Sequence, residues 1–393
     1  MRPWIIPILA CTALAAQSPM FRGDAARTGV YPAPAVPLQG KIAWSFETLP
    51  WKLYKGLEDM DGQPTWPTTP AVSDGLIYGC AGPFFFAVDA KGKEAFRVRL
   101  GGSSLSSPAV ANGVAYLPTG DGLLYALDAK NGKTLWTFRI AGPSRLRQTD
   151  QWDVYQSSPA VVDGIVYVGS VDGAVYAISA SKGELKWRTG TGDIIRSSPA
   201  VANGRVFAGN FSGKVFCLDA ATGARVWEQD THTPGVPWHA VQGSCAVSGG
   251  LVFVGSRSTS FYAFEEATGK LRWKHGHRMS WVPSSPAVRD GVAYVGQSDG
   301  GKVTAIGADG TVRWVLDIGK PTFASPALAG GVVYVATNDN YNSEAKGSLS
   351  AVDILTGKAI WTCSFPASLW SSPVVANDTV YVACADGNLY AVK

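Results

Sequence analysis

The chain has little charge, 16% of its 393 residues, and its 34 Lys and Arg are scattered with no basic run. That leaves no electrostatic footprint for nucleic acid, so no nucleic-acid partner is expected. No two cysteines are adjacent, and none of the six is spaced like a metal ligand. No metal-protease motif occurs. Helical periodicity is missing throughout, which excludes the helical repeat folds. No stretch beyond the N-terminus is apolar enough to cross a bilayer.

What the sequence does have is turns, with 45 Gly and 24 Pro spread evenly, and 14 Trp. The start, "MRPWIIPILACTALAAQ", reads as a secretory signal over residues 1–16. Arg2 supplies the positive end, Trp4 to Leu14 the apolar stretch, and Ala13-Leu14-Ala15 a small-residue cleavage site. Ile8-Leu9-Ala10-Cys11 loosely resembles a bacterial lipobox, which would leave Cys11 carrying a lipid anchor. Cys217 and Cys245 fall in apolar strand patterns and read as core filler. Cys80 and Cys384 share one repeat position in two units that a ring would make neighbours, so a bridge between them stays open.

The dominant signal is a repeat of about 40 residues. "SPAV"-type openings place Pro70, Pro108, Pro159, Pro199, Pro286, Pro326 and Pro373, with Cys245 of "SCAV" as an eighth. Closing tryptophans follow at Trp44, Trp136, Trp187, Trp227, Trp273, Trp314 and Trp361, with Phe96 in the eighth place. Each unit alternates like four short strands, A to D, joined by turns such as Asn112-Gly113 and Asp163-Gly164, whose residues tolerate positive φ. Four antiparallel strands per period is the arithmetic of a propeller blade. The fold expected is therefore all-β: one eight-bladed β-propeller over residues 41–393, preceded by an extension over 17–40. Openings and closings are out of phase. The strand around Trp44 should complete the last, unfinished unit and remove two exposed edges.

The closing pattern D-x-x-x-G-x-x-x-W, seen at Asp128/Gly132/Trp136, Asp219/Gly223/Trp227 and Asp353/Gly357/Trp361, resembles the tryptophan-docking motif of the pyrroloquinoline quinone (PQQ) repeat family. The resemblance runs from Trp44 to Val392. "PMFRGDAARTGVY", Pro19 to Tyr31, is similar to the lead-in of its secreted members. Units one and six are a residue short in the C–D turn. The docking tryptophans expected from this motif are Trp44, Trp136, Trp187, Trp227, Trp273, Trp314 and Trp361, each burying a large apolar area between blades.

Gaps from closing Trp to the next opening are ordinarily 12, but reach 26 after Trp44, 23 after Trp136 and 18 after Trp227. The B–C connection from Thr337 to Gly347 is also long. D–A and B–C connections emerge on one face, so the extra chain decorates a single mouth of the ring, where binding residues concentrate. The candidate binding residues at that mouth are Trp66, Arg145, Arg147, Trp152, Tyr155, Arg196, Trp238, His239, Trp281, Phe323 and Trp370. The alternative is that these aromatics plug the channel and pack loop on loop.

The resemblance implies two functions, and the aromatic rim suggests a third. One is a non-enzymatic BamB-like propeller, secreted or periplasmic, that grips a protein partner among envelope assembly components, with no catalytic residue. A second is a quinoprotein dehydrogenase holding PQQ and Ca²⁺. Such enzymes carry a vicinal Cys-Cys disulfide and long insertions that this chain lacks. Its one acidic-amide cluster is Asn338, Asp339, Asn340, Asn342 and Glu344, also an ordinary turn composition. No cofactor or metal is therefore expected. The third is sugar binding on the aromatic rim. Hydrolysis would need paired carboxylates, and the mouth offers only scattered ones such as Asp150, Asp153 and Asp230.

Overall fold

The structure, a computed structural model, describes residues 17–34, 38–49, 68–141, 156–338 and 346–393. The proposed signal and Cys11 lie outside the described residues. Among the described residues no helix is long and apolar enough to cross a membrane.

Eight antiparallel four-stranded sheets form the blades. Blades 1 to 6 span 71–99, 109–139, 160–190, 200–230, 246–276 and 287–317, and blade 7 spans 327–364. Blade 8 takes strands A to C from Val374–Ala376, Thr379–Ala383 and Asn388–Val392, and its outer strand from Ile42–Glu47. Ile42 stands opposite Val392 and Trp44 opposite Ala391, so the first long strand zips onto the last. The eight-bladed ring and its closure match the expectation from the repeat.

In the A–B turns, Asn112 (φ 52°) and Gly113 (φ 75°), like Asp163 (φ 48°) and Gly164 (φ 75°), carry two successive positive φ angles. This is the turn whose twist suits a tight hairpin. Strand D alternates exposed and covered residues, while strands B and C are buried on both faces, as in "LLYALD" of Leu123–Asp128. The core accordingly lies between blades. Tyr116 and Leu124 of blade 2 pack with Val166 and Tyr176 of blade 3, and Phe207 and Cys217 of blade 4 with Cys245 and Val254 of blade 5. Cys217 and Cys245 are core filler, as expected. Cys80 and Cys384 are both free thiols in different core clusters and do not pair.

The docking tryptophans close the ring a second way. Each indole N–H donates to a carbonyl of the next blade, Trp136 to Ala180, Trp187 to Ala220, Trp227 to Glu266, Trp273 to Ala308 and Trp314 to Ile354. Trp361 donates to Leu38 just ahead of the closing strand, and Trp44 to Ala90 of blade 1. Each ring also lies on the motif glycine of the next unit. A Cβ at Gly223 would stand 2.6 Å from Trp187, and one at Gly92 2.8 Å from Trp44. The glycine is thus fixed twice, by positive φ and by the neighbour's indole. The motif aspartate caps its own turn: Asp219 Oδ1 accepts the N–H groups of Ala221 and Thr222.

Candidate functional site

Residues 18–31 run through the central channel. Strand A is the innermost strand of every blade, and its channel-facing N–H groups need acceptors. The segment supplies them. Val72, Val110, Val201, Val247, Val288 and Leu328 donate to the carbonyls of Ser18, Pro19, Ala25, Ala26, Thr28 and Gly29 at 2.6–2.9 Å. Six blades are bound in this way, and Val30–Tyr31 adds a short parallel strand to blade 7. Arg27, fully buried, donates to Ser158 and Pro159 of blade 3, Pro199 of blade 4 and Phe21 of its own segment. Arg22, also fully buried, donates to Pro286. Gln17 bonds Asp74 in an A–B turn, so the segment enters from the short-turn face. It is a plug, and Phe21 at its tip floors a well open toward the loop-rich mouth.

The well and the solvent at its open mouth together take up about 650 Å³. A collar of hydroxyls lines it, one per blade, from Thr69, Ser107, Ser158, Ser198, Ser244, Ser285, Ser325 and Ser372. From Ser107 round to Ser372, seven collar residues donate their N–H to the hydroxyl oxygen of the next, Ser107 to Ser158 at 3.0 Å, Ser158 to Ser198 at 2.9 Å and so on to Ser372 and Thr69 at 2.9 Å. The preceding residue ties its own blade: Ser157 accepts from Gly169 at 2.8 Å, and Ser284 from Gly296 at 3.0 Å. Both serines of "SSP" are therefore structural acceptors that link blade to blade and strand A to strand B. The repeat showed these residues, but their roles require the ring to be built.

The structure divides the predicted mouth residues into two groups. Arg196, Phe323 and Trp370 line the well, with the Phe323 and Trp370 rings 5.5 Å apart. Trp238, His239 and Trp281 form a separate cluster on the loops around blade 5. There Trp238, half exposed, meets the Trp281 ring edge-on at 5.7 Å. The buried Arg257 guanidinium lies 4.7 Å from the Trp281 ring and 5.5 Å from Phe211, an arrangement worth about 0.5–2 kcal/mol per contact. Arg257 also donates to Gln242 at 2.9 Å, and Gln242 lines the well. Arg257, Gln242 and Phe21 escaped the sequence reading because they sit at no repeat-breaking position. An arginine inside an apolar B–C hairpin was the available signal for Arg257. Trp66, Arg145, Arg147, Trp152 and Tyr155 lie outside the described residues, as do Asp339, Asn340, Asn342 and Glu344.

Asn338 is buried, and its side-chain oxygen accepts the N–H of Phe323 at 3.2 Å. The described lining of the well is hydroxyl, amide, guanidinium and aromatic, without a carboxylate. Among the described residues no three His, Cys, Asp or Glu side chains converge on one point. This donor set does not fit PQQ held with Ca²⁺, which asks for carboxylate oxygens.

Comparison with known proteins gives two kinds of relative. A stretch of 86 residues is 36% identical to a 1-butanol dehydrogenase (cytochrome c) of Thauera butanivorans, covering 22% of this chain and 12% of that protein. A stretch of 147 residues is 29% identical to the outer membrane protein assembly factor BamB of Yersinia pestis, covering 34% of this chain and 37% of that one. The chain thus matches well under half the length of these curated relatives. Among solved structures, the quinohemoprotein alcohol dehydrogenase of Comamonas testosteroni superposes with a TM-score of 0.74 at 15% identity, over 95% of this chain and 80% of that one, a likeness of fold alone. A family model described as outer membrane protein assembly factor BamB matches residues 35–155, 144–280, 211–317 and 257–393. Its matches extend from the closing strand through every blade, and the chain belongs to this family of PQQ-repeat propellers.

Proposed function

We propose that this chain is a non-enzymatic, secreted or periplasmic propeller that docks a protein partner of the cell envelope through its loop-rich mouth. The observation that carries the reading is the Trp238–Trp281–Arg257 stack. A half-exposed tryptophan backed by a rigid aromatic and a buried guanidinium is the composition of an interface hot spot. The family likeness to BamB supports an envelope assembly partner, and the described lining of the well, which holds no carboxylate, supports a cofactor-free role. The test is capture of envelope proteins on the purified propeller, compared with W238A. Loss of a specific partner by at least tenfold in affinity is expected with Tm unchanged. A partner captured equally by both forms would move the site off this mouth.

The second reading, a PQQ-dependent dehydrogenase, is favoured by the butanol dehydrogenase likeness. Titration with PQQ and Ca²⁺ decides it. No saturable quinone absorbance on the protein is expected, and stoichiometric binding with alcohol oxidation would establish the enzyme.

A further inference from the structure

All four histidines of the chain stand around blade 5: His232 and His239 in the connection from blade 4, His275 and His277 at the end of its strand D. The first two face each other. His232 Nδ1 and His239 Nδ1 are 3.0 Å apart, with ring centroids 4.3 Å apart and planes inclined at 56°. A collinear N–H···N bond of that length would put the centroids about 5 Å apart, since each nitrogen stands about 1 Å from its ring centre. The observed rings lean together instead, and the two nitrogens share one hydrogen bond whose proton an entering cation would displace.

Two imidazole nitrogens held at this spacing offer one ion a bidentate bite. With metal–nitrogen bonds of about 2.1 Å, a 3.0 Å bite subtends an angle of about 90°. Tetrahedral zinc would want a bite of about 3.4 Å at that bond length. An angle near 90° is the cis angle of a tetragonal ion, and imidazole with oxygen donors in that geometry selects Cu²⁺, with Ni²⁺ weaker.

Both ligand backbones are fixed before any ion arrives. The His232 N–H is held by Asp230 Oδ1 at 2.7 Å. The His239 carbonyl accepts from Ser256 Oγ at 2.9 Å, and its Cβ packs on Gly213, where no side chain fits. His232 is exposed, so an ion has access. Among the described residues no third His, Cys, Asp or Glu joins the pair.

We propose that His232 and His239 form a surface chelate for a tetragonal divalent cation, Cu²⁺ foremost, closing the loop that presents Trp238. The ion would staple residues 232 and 239 together and restrain the tryptophan between them, whether or not a protein docks there.

The test is Cu²⁺ titration of the full propeller in a non-coordinating buffer, read by calorimetry and by electron paramagnetic resonance. The expected result is one site of micromolar affinity with a tetragonal spectrum showing two nitrogen ligands. His239→Ala and His232→Gln should each weaken binding at least tenfold and remove one nitrogen, while a His275→Gln/His277→Gln variant binds as the parent does. Cu²⁺ should also slow proteolysis between residues 232 and 239 in the parent and in the His275→Gln/His277→Gln variant, but in neither single variant at 232 or 239. Absence of a site below about 100 μM, a free energy of about −5.5 kcal/mol, overturns the proposal. So does Cu²⁺ binding that survives both single substitutions.

Discussion

Arg27 is the residue on which the plug should be judged. Its guanidinium is fully buried on the propeller axis and donates to four carbonyls, three of them on blades 3 and 4. Arg27→Met keeps most of the volume and removes the donors. Four stranded carbonyls, three buried and that of Phe21 partly so, at about 1–3 kcal/mol each give a gross loss near 8 kcal/mol. Against this stands the desolvation of the cation, the main cause that pushes its pKa down to about 9. Relief of that desolvation returns about 5 kcal/mol. The net expectation is a loss of about 3 kcal/mol, since removing one side of a buried polar network leaves the other side unpaired. At about 2 °C per kcal/mol for a chain of this size, Tm should fall by about 6 °C. Calorimetry measures it, and protease cleavage within residues 17–34 should rise in parallel. A change under 1 °C, or a rise in Tm, would show that the blades hold together without the arginine and that the axial segment is a passenger.

Other consequences are open to direct test. Gly223→Ala and Gly204→Ala both place a side chain at positive φ (73° and 71°), but only the first meets an indole, at 2.6 Å. Gly204→Ala should cost about 1 kcal/mol and Gly223→Ala at least about 3, by denaturant midpoints; equal losses would remove the docking role of the motif glycine. Ser198→Ala leaves the buried N–H of Ser158 without its acceptor and should cost about 1–3 kcal/mol in the same assay, although Ser198 sits in a well that looks like an active site. Burial pushes the His277 imidazole down to about 3. Between that value and its ordinary 6.5, the unfolded chain binds a proton that the native one does not, so stability must fall as pH drops through this window. The loss reaches about 5 kcal/mol near pH 3, and His277→Gln should flatten that limb of the pH–stability curve.

The ring was legible in the sequence because its rules are local and repeated. Asn112-Gly113 and Asp163-Gly164 announce their turns, and the D-x-x-x-G-x-x-x-W spacing places Gly223 and Trp227 in one C–D hairpin. Periodicity even disclosed the out-of-phase closure at Trp44. The axial plug left no such trace. Arg22 and Arg27 carry positive φ of 65° and 60° and occupy a segment with no strand pattern. Their acceptors, Pro286 and Pro199, lie more than 170 residues away. Only a closed ring creates the row of unpaired strand-A donors that such a segment can satisfy. The same holds for the collar: each "SSP" serine looks identical in sequence, yet one bonds its own blade and the next bonds its neighbour.

This division has a functional consequence. Serines, docking tryptophans and motif glycines are each tied to an adjacent blade, so substituting them changes stability before it changes any binding surface. The residues that interrupt the repeat carry no such obligation. Trp238 is half exposed and donates no hydrogen bond that holds a blade, while its partner Trp281 is backed by Arg257. A side chain at that exposure contributes little packing, which is why the proposed partner contact is assigned to it. Trp238→Ala should therefore leave Tm within about 1 °C of the parent, as surface substitutions generally do, while abolishing the partner capture that depends on this mouth. A Tm loss as large as that expected for Gly223→Ala would instead make Trp238 part of the scaffold and the stack a packing device.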